Sequence, residues 1–157
     1  MASKALFDFS GMDLDSPQFT VEQLEQINPH RGAMRLLDHV VWESDDRNQA
    51  VGIRDIRDDE FWVPGHIPGR PLFPGVLMIE AAAQLSSFVT LRKMPDTAFM
   101  GFTAVDKVKF RGQVVPGDRL VILAVQTEFR PRRSISVTQG WVRDMLAFEG
   151  QITGMPM

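Results

Sequence analysis

The chain contains no cysteine, which excludes disulfides, thiolate nucleophiles and cysteine-ligated metal centres. It contains no tyrosine, so a phenolic gate is excluded too. Histidine is scarce: only His30, His39 and His66 occur, without His-Glu-x-x-His spacing, and a metal centre is not expected. Neither a Gly-x-Ser-x-Gly nucleophile elbow nor a phosphate-cradling Gly-x-x-x-x-Gly-Lys is present. No apolar run reaches the ~18 residues of a membrane span, because Glu80, Gln84, Ser86 and Ser87 interrupt the best one. The opening Met1-Ala2-Ser3-Lys4-Ala5-Leu6-Phe7-Asp8 lacks a signal peptide's apolar run. A cytoplasmic protein without membrane insertion is the expectation.

Charge is short in one direction at each end of the chain. The net charge of −3 argues against nucleic acid as a partner. Residues 1–65 hold 6 Lys/Arg against 13 Asp/Glu, whereas residues 92–143 hold 10 against 4. Solvated surface and salt bridges between subunits account for this, as does a basic rim that receives an acidic partner and a phosphate. At 157 residues, a single domain over 1–157 is expected, with residues 1–19 as an extended, poorly ordered arm.

What the chain does have is concentrated in Gly65-His66-Ile67-Pro68-Gly69-Arg70-Pro71-Leu72-Phe73-Pro74-Gly75. Pro64, Pro68, Pro71 and Pro74 stiffen the segment by fixing φ near about −65°, and they flank one histidine. Pro74 suits the first position of a helix, which should run about 18 residues to Arg92-Lys93 and stop before Pro95. Residues 76–83 are apolar except for Glu80. A carboxylate there is costly unless paired, and burial should raise its pKa toward that of a general acid. His66 as base, Glu80 as acid and the Gly75 N–H as an oxyanion donor form one candidate constellation. The alternatives are a structural histidine and a glutamate that reaches solvent or an arginine.

The stretch Gly65-His66-Ile67-Pro68-Gly69-x-Pro71-x-x-Pro74-Gly75-Val76-Leu77-x-x-Glu80-Ala81-x-Ala83-Gln84 resembles the signature of the FabZ-type 3-hydroxyacyl-[acyl-carrier-protein] dehydratases. Pro29-His30-Arg31 with Leu36-Leu37-Asp38 resembles the family's opening segment. Asp106-Lys107-Val108-Lys109-Phe110-Arg111 and Val115-Pro116-Gly117-Asp118 resemble a later strand-turn-strand. Gly32-Ala33-Met34-Arg35 and Gly112 depart from the family pattern, which bears on acyl preference rather than on the reaction. Glu80, where dehydratase-isomerases carry aspartate, points to the dehydratase-only branch.

In chain order, Thr20-Val21-Glu22-Gln23 reads as a capping box before a short helix ended by Asn28-Pro29. His30 reads as a loop residue bonded to backbone, and His39 as an ordinary strand residue. Strands are expected over 36–43 and 49–56, joined by a turn at 44–48. Asp58-Asp59-Glu60 reads as a solvated loop, and Phe61-Trp62 as packing or the border of an acyl tunnel. Three further β runs are expected over 98–110, 119–129 and 134–152. Strands on both sides of one long helix predict an α+β fold, an antiparallel sheet around that helix.

The resemblance sharpens this to a hot-dog fold and implies a homodimer, often a trimer of dimers. It implies no cofactor, the substrate riding on the phosphopantetheine of an acyl carrier protein. Histidine and glutamate of one site would then come from opposite subunits. Phe73 and Val76 are candidates for the acyl tunnel, and Arg111, Arg130, Arg132 and Arg133 for the carrier rim. A hot-dog thioesterase and a non-catalytic acyl-carrier or lipid-binding module are the competing readings.

Overall fold

Six strands form one antiparallel sheet: β1 (His39–Glu43), β2 (Gln49–Asp55), β3 (Met100–Phe110), β4 (Arg119–Arg130), β5 (Arg133–Val142) and β6 (Met145–Pro156). Their order is β1-β2-β4-β5-β6-β3, so β1 and β3 are the edges. The sheet wraps around α2 (Gly75–Leu91), with the short α1 (Val21–Ile27) and a single 3₁₀ turn (Gly32–Met34) beside it. This computed structural model describes residues 3–157. The architecture is the hot-dog arrangement expected from the sequence.

Period-two alternation fixes which strand face meets the helix. On β4, Leu120, Ile122 and Ala124 pack toward α2, joined by Phe148 and Ile152 of β6. The intervening Val121 and Leu123 face the other way, with Val51, Ile53, Trp141 and Leu146. From Gln84 to Leu91 every residue of α2 is buried, which fits its nearly all-round apolar sequence. The capping box at Thr20 is present, Thr20 N–H donating to Gln23 Oε1 at 2.8 Å.

Beyond shifts of a few residues at strand ends, four boundaries differ from those expected. Pro74 is the N-cap of α2 rather than its first helical residue, and Gly75 takes that place. The helix ends at Leu91, with Arg92 as its cap. The first strand begins at His39, because Leu36 and Leu37 are sunk in the core as irregular chain. The last β run is two strands, split at Arg143-Asp144, where Arg143 takes a φ of 53° to close the hairpin.

The N-terminal arm is the larger correction. Ala5, Leu6, Phe7, Phe9, Met12 and Leu14 pack against the outward sheet face, so this segment is ordered (Met1 and Ala2 lie outside the described residues). Gln139 on β5 holds it, accepting from Leu6 N–H at 3.0 Å and donating to Lys4 O at 3.1 Å. Phe7 meets Trp42 and Phe9 meets Trp141, with ring centroids 5.5 and 6.3 Å apart. His39 serves the arm as well, its Nε2 lying 3.2 Å from Leu14 O.

Candidate active site

Glu80 lies on α2, and its side chain is half-buried against the segment that precedes β1. Gln84, one turn further along, donates from Nε2 to Glu80 Oε1 at 2.9 Å and to Met34 O at 2.7 Å. Its Oε1 accepts from Leu36 N–H at 2.8 Å, and its backbone carbonyl accepts from Asn28 Nδ2 at 2.9 Å. This one glutamine stitches residues 28–36 to the helix, and so brings His30 to the carboxylate. His30 Nε2 stands 3.4 Å from Glu80 Oε1. The sequence reading gave His30 to backbone bonding; its ring instead faces the acid. Its Nδ1 is buried and has no partner among the described residues.

Burial is the largest single influence on the Glu80 pKa, and it pushes upward as expected. Hydrogen bonds from His30 and Gln84, with the attraction of His30, together outweigh it. The carboxyl therefore sits below the ordinary glutamate range, not above it. The sequence showed the apolar helix but not the donors that fold over it.

His66 occupies the exposed loop between β2 and α2. Its Nδ1 is 2.8 Å from Leu72 O. A carbonyl only accepts, so Nδ1 carries the proton, and Nε2 of the neutral ring keeps its lone pair. His66 N–H donates to Trp62 O at 2.8 Å, and Leu72 N–H to His66 O at 2.9 Å. Below the loop, the Glu60 carboxylate accepts from Arg54, from Arg57 N–H and from Trp62 Nε1. Glu60 is thus a clamp for the loop rather than a solvated loop residue. Trp62 is buried edge-on against Phe73, with centroids 5.5 Å apart.

The predicted residues do not gather in one place within a single chain. The cavity at Glu80 is lined by His30, Ala83, Ser86, Ser87 and Thr90 with parts of β3, β5 and β6, and His66 is not among its lining. Gly75 lies at the start of α2, where its N–H has no intrahelical acceptor. A Cβ on Gly75 would stand 2.8 Å from the Phe110 ring, so only glycine admits that contact. At ~100° per residue, Gly75 and Glu80 point to nearly opposite sides of the helix. Val76 is exposed near His66's end of the helix, and Phe73 belongs to the core rather than to the cavity lining. Arg111 pairs with Glu149 at 2.6 Å, beside the N-terminal end of α2. Arg132 lies in the turn of the β4–β5 hairpin and Arg133 opens β5, Arg133 and Arg130 both pairing with Glu128. The hairpin leads into Ser134, bonded to Thr90 near the other end of α2, so the arginines do not form one rim in a single chain.

The FabA-like domain model matches residues 28–151. The 3-hydroxyacyl-[acyl-carrier-protein] dehydratase FabZ of Desulforamulus reducens is 38% identical over 136 residues, covering 84% of this chain and 93% of the relative. FabZ of Pelotomaculum thermopropionicum is 36% identical over 133 residues, covering 84% and 94%. Among solved structures, the dehydratase heterocomplex ApeI:P from Xenorhabdus doucetiae matches with a TM-score of 0.71 at 18% identity, over 85% of this chain and 90% of that one. An uncharacterised protein from Pyrococcus horikoshii matches with a TM-score of 0.60 at 15% identity, over 78% and 84%.

Proposed function

This chain belongs to the FabA-like domain family, and from that membership we infer that it dehydrates (3R)-3-hydroxyacyl thioesters of acyl carrier protein to trans-2-enoyl thioesters. The reaction is that of type II fatty-acid synthesis. The observation that carries the assignment to residues is Glu80, a half-buried carboxyl opening into a cavity on the central helix.

His66 Nε2 takes a proton from C2 of the substrate. The electrons left on C2 form the C2–C3 double bond as the C3–O bond breaks. Glu80 delivers its proton to the departing hydroxyl, so water leaves, His66 is left protonated and Glu80 ionised. The reverse transfers, through solvent, reset both. Negative charge that builds on the thioester oxygen is met by the Gly75 N–H at the positive end of α2. Glu80 must be protonated to act, and its resting pKa is low. Substrate that displaces water from the cavity deepens the burial of the carboxyl and moves it upward.

Because His66 and Glu80 do not share a cavity in one chain, the working site pairs His66 of one subunit with Glu80 of another. The free edge of β3 supports this: Phe102, Val105 and Phe110 are exposed along it, and strand pairing occupies only its β6 side. The reading comprises a homodimer joined at that edge, with hexamers assembled from three such pairs. It includes a reaction without cofactor and a cytoplasmic location. No described helix is long and apolar enough to cross a membrane.

The test is incubation with a 3-hydroxyacyl thioester on carrier protein. Enoyl absorbance without free thiol is the expected result; free thiol without enoyl product would instead establish a thioesterase.

A further inference from the structure

Of the strands that turn side chains toward α2, β4, β5 and β6 lie side by side, and one of these differs in kind from the other two. β4 presents Leu120, Ile122 and Ala124, and β6 presents Phe148 and Ile152. β5 presents Ser134, Ser136 and Thr138, all buried. Opposite them, α2 carries buried Ser86, Ser87 and Thr90. Five of these hydroxyls line the Glu80 cavity, about 50 Å³ in volume, whose β3 wall includes Met100 and Phe102.

Most of the hydroxyls are already paired. Ser86 Oγ donates to Ala82 O at 2.9 Å, and Thr90 Oγ1 to Ser86 O at 3.0 Å. Gln126 Nε2 donates to Thr90 Oγ1 at 3.0 Å and to Ser134 Oγ at 2.8 Å, and those two hydroxyls are 2.8 Å apart. Ser87 and Ser136 differ. They are 7% and 1% exposed, both line the cavity, and neither Oγ has a partner among the described residues. A buried hydroxyl without a partner is a standing cost that alanine would remove.

We propose that this cavity receives an acyl chain bearing a neutral oxygen, hydroxyl or carbonyl, in its distal half, and that Ser87 and Ser136 hydrogen-bond that oxygen. The proposal rests on the dehydratase reading of Glu80. Each hydroxyl supplies one donor and two acceptor sites, so both oxygen types fit. A distal carboxylate does not, because the titratable residues of the lining, His30 and Glu80, stand at the reacting end. Ser87 follows Glu80 by seven residues, which is about 10 Å along the axis at ~1.5 Å per residue. For a substrate with C3 at Glu80, the oxygen falls roughly eight bonds further, given C–C bonds of about 1.5 Å. Met100 is flexible enough to move aside for such a chain.

The experiment compares pantetheine amide analogues, which bind without turnover, of the 3-hydroxydodecanoyl chain and of the same chain with a second hydroxyl on its penultimate carbon. Calorimetry on the intact protein should show the dihydroxy analogue binding at least about tenfold more tightly. The Ser87→Ala/Ser136→Ala double variant should bring the ratio to near one. Equal affinities in the unaltered protein, as waters held on the serines would give, overturn the proposal. So does a preference that survives the double variant. Turnover of a 3-hydroxybutyryl thioester, too short to reach Ser87, reports separately on the dehydratase reading. Water loss there without a preference between the long analogues defeats this proposal alone.

Discussion

Gln84 Nε2 stands 2.9 Å from Glu80 Oε1 while Gln84 Oε1 accepts from the buried Leu36 N–H, so one side chain both orients the acid and anchors the chain that carries His30. Replacing it tests the two roles together. Gln84→Leu leaves the Leu36 N–H without its acceptor and should cost about 1–3 kcal/mol of stability. Turnover should fall as well, because both Glu80 and His30 lose their alignment. Urea unfolding and a dehydration assay measure the two effects.

His66→Ala and Glu80→Gln should each lower turnover by about 10²–10⁴-fold with the fold intact by circular dichroism. Full activity in either removes the role assigned to it. Mixing the two inactive variants under conditions of subunit exchange should restore part of the activity, because one composite site then holds both native groups. No recovery counts against a site shared between subunits.

The pH profile tests His30. Turnover requires a protonated Glu80, so activity falls as pH rises through the Glu80 pKa of the working complex. Burial raises that pKa, while the His30 hydrogen bond and attraction lower it. His30→Ala removes the lowering influence and keeps the burial, so the alkaline limb should move to higher pH. His30→Asn, which retains a donor, should move it less. A limb that stays in place in both variants means that His30 does not act on the acid.

Ser136→Ala should raise stability rather than lower it, since it deletes a buried hydroxyl that has no partner among the described residues. A gain of about 1 kcal/mol is expected, which corresponds to roughly 2–4 °C in melting temperature for a chain of this size. Differential scanning calorimetry decides. A large loss instead indicates a hydrogen bond that the described residues do not supply.

Removing residues 3–14 should leave a protein that melts lower and self-associates, because Phe7, Phe9 and Leu14 cover apolar β-sheet surface. Burial of one such side chain is worth about 1.5–3 kcal/mol, so the loss should be several kcal/mol. Thermal unfolding with light scattering checks it.

The histidine loop and Glu80 were legible because proline, glycine and a lone carboxylate in an apolar run are local signals. The sheet was legible from β-rich runs on either side of one long helix. His30 was not, since its partner lies fifty residues away and Pro29-His30-Arg31 carries nothing that points to a carboxylate. The arm was missed because Leu6, Phe7, Phe9, Met12 and Leu14 follow neither a helical nor a strand period; it crosses the sheet as irregular chain. The break at Arg143-Asp144 lacks glycine and proline, so one hairpin read as a single strand. Glu80's lowered pKa depends on donors from distant segments, whereas the apolar helix sequence showed only the burial.

With the arm laid across its outward surface, the sheet has apolar ground left chiefly at the β3 rim, where Phe102 and Phe110 face solvent. Two copies can extend each other's sheets there like planks joined lengthwise. A back-to-back sandwich would first have to peel Phe7 and Phe9 from the tryptophans beneath them. For the proposed homodimer, the blanket over one surface thereby leaves the side of the sheet as the place to join.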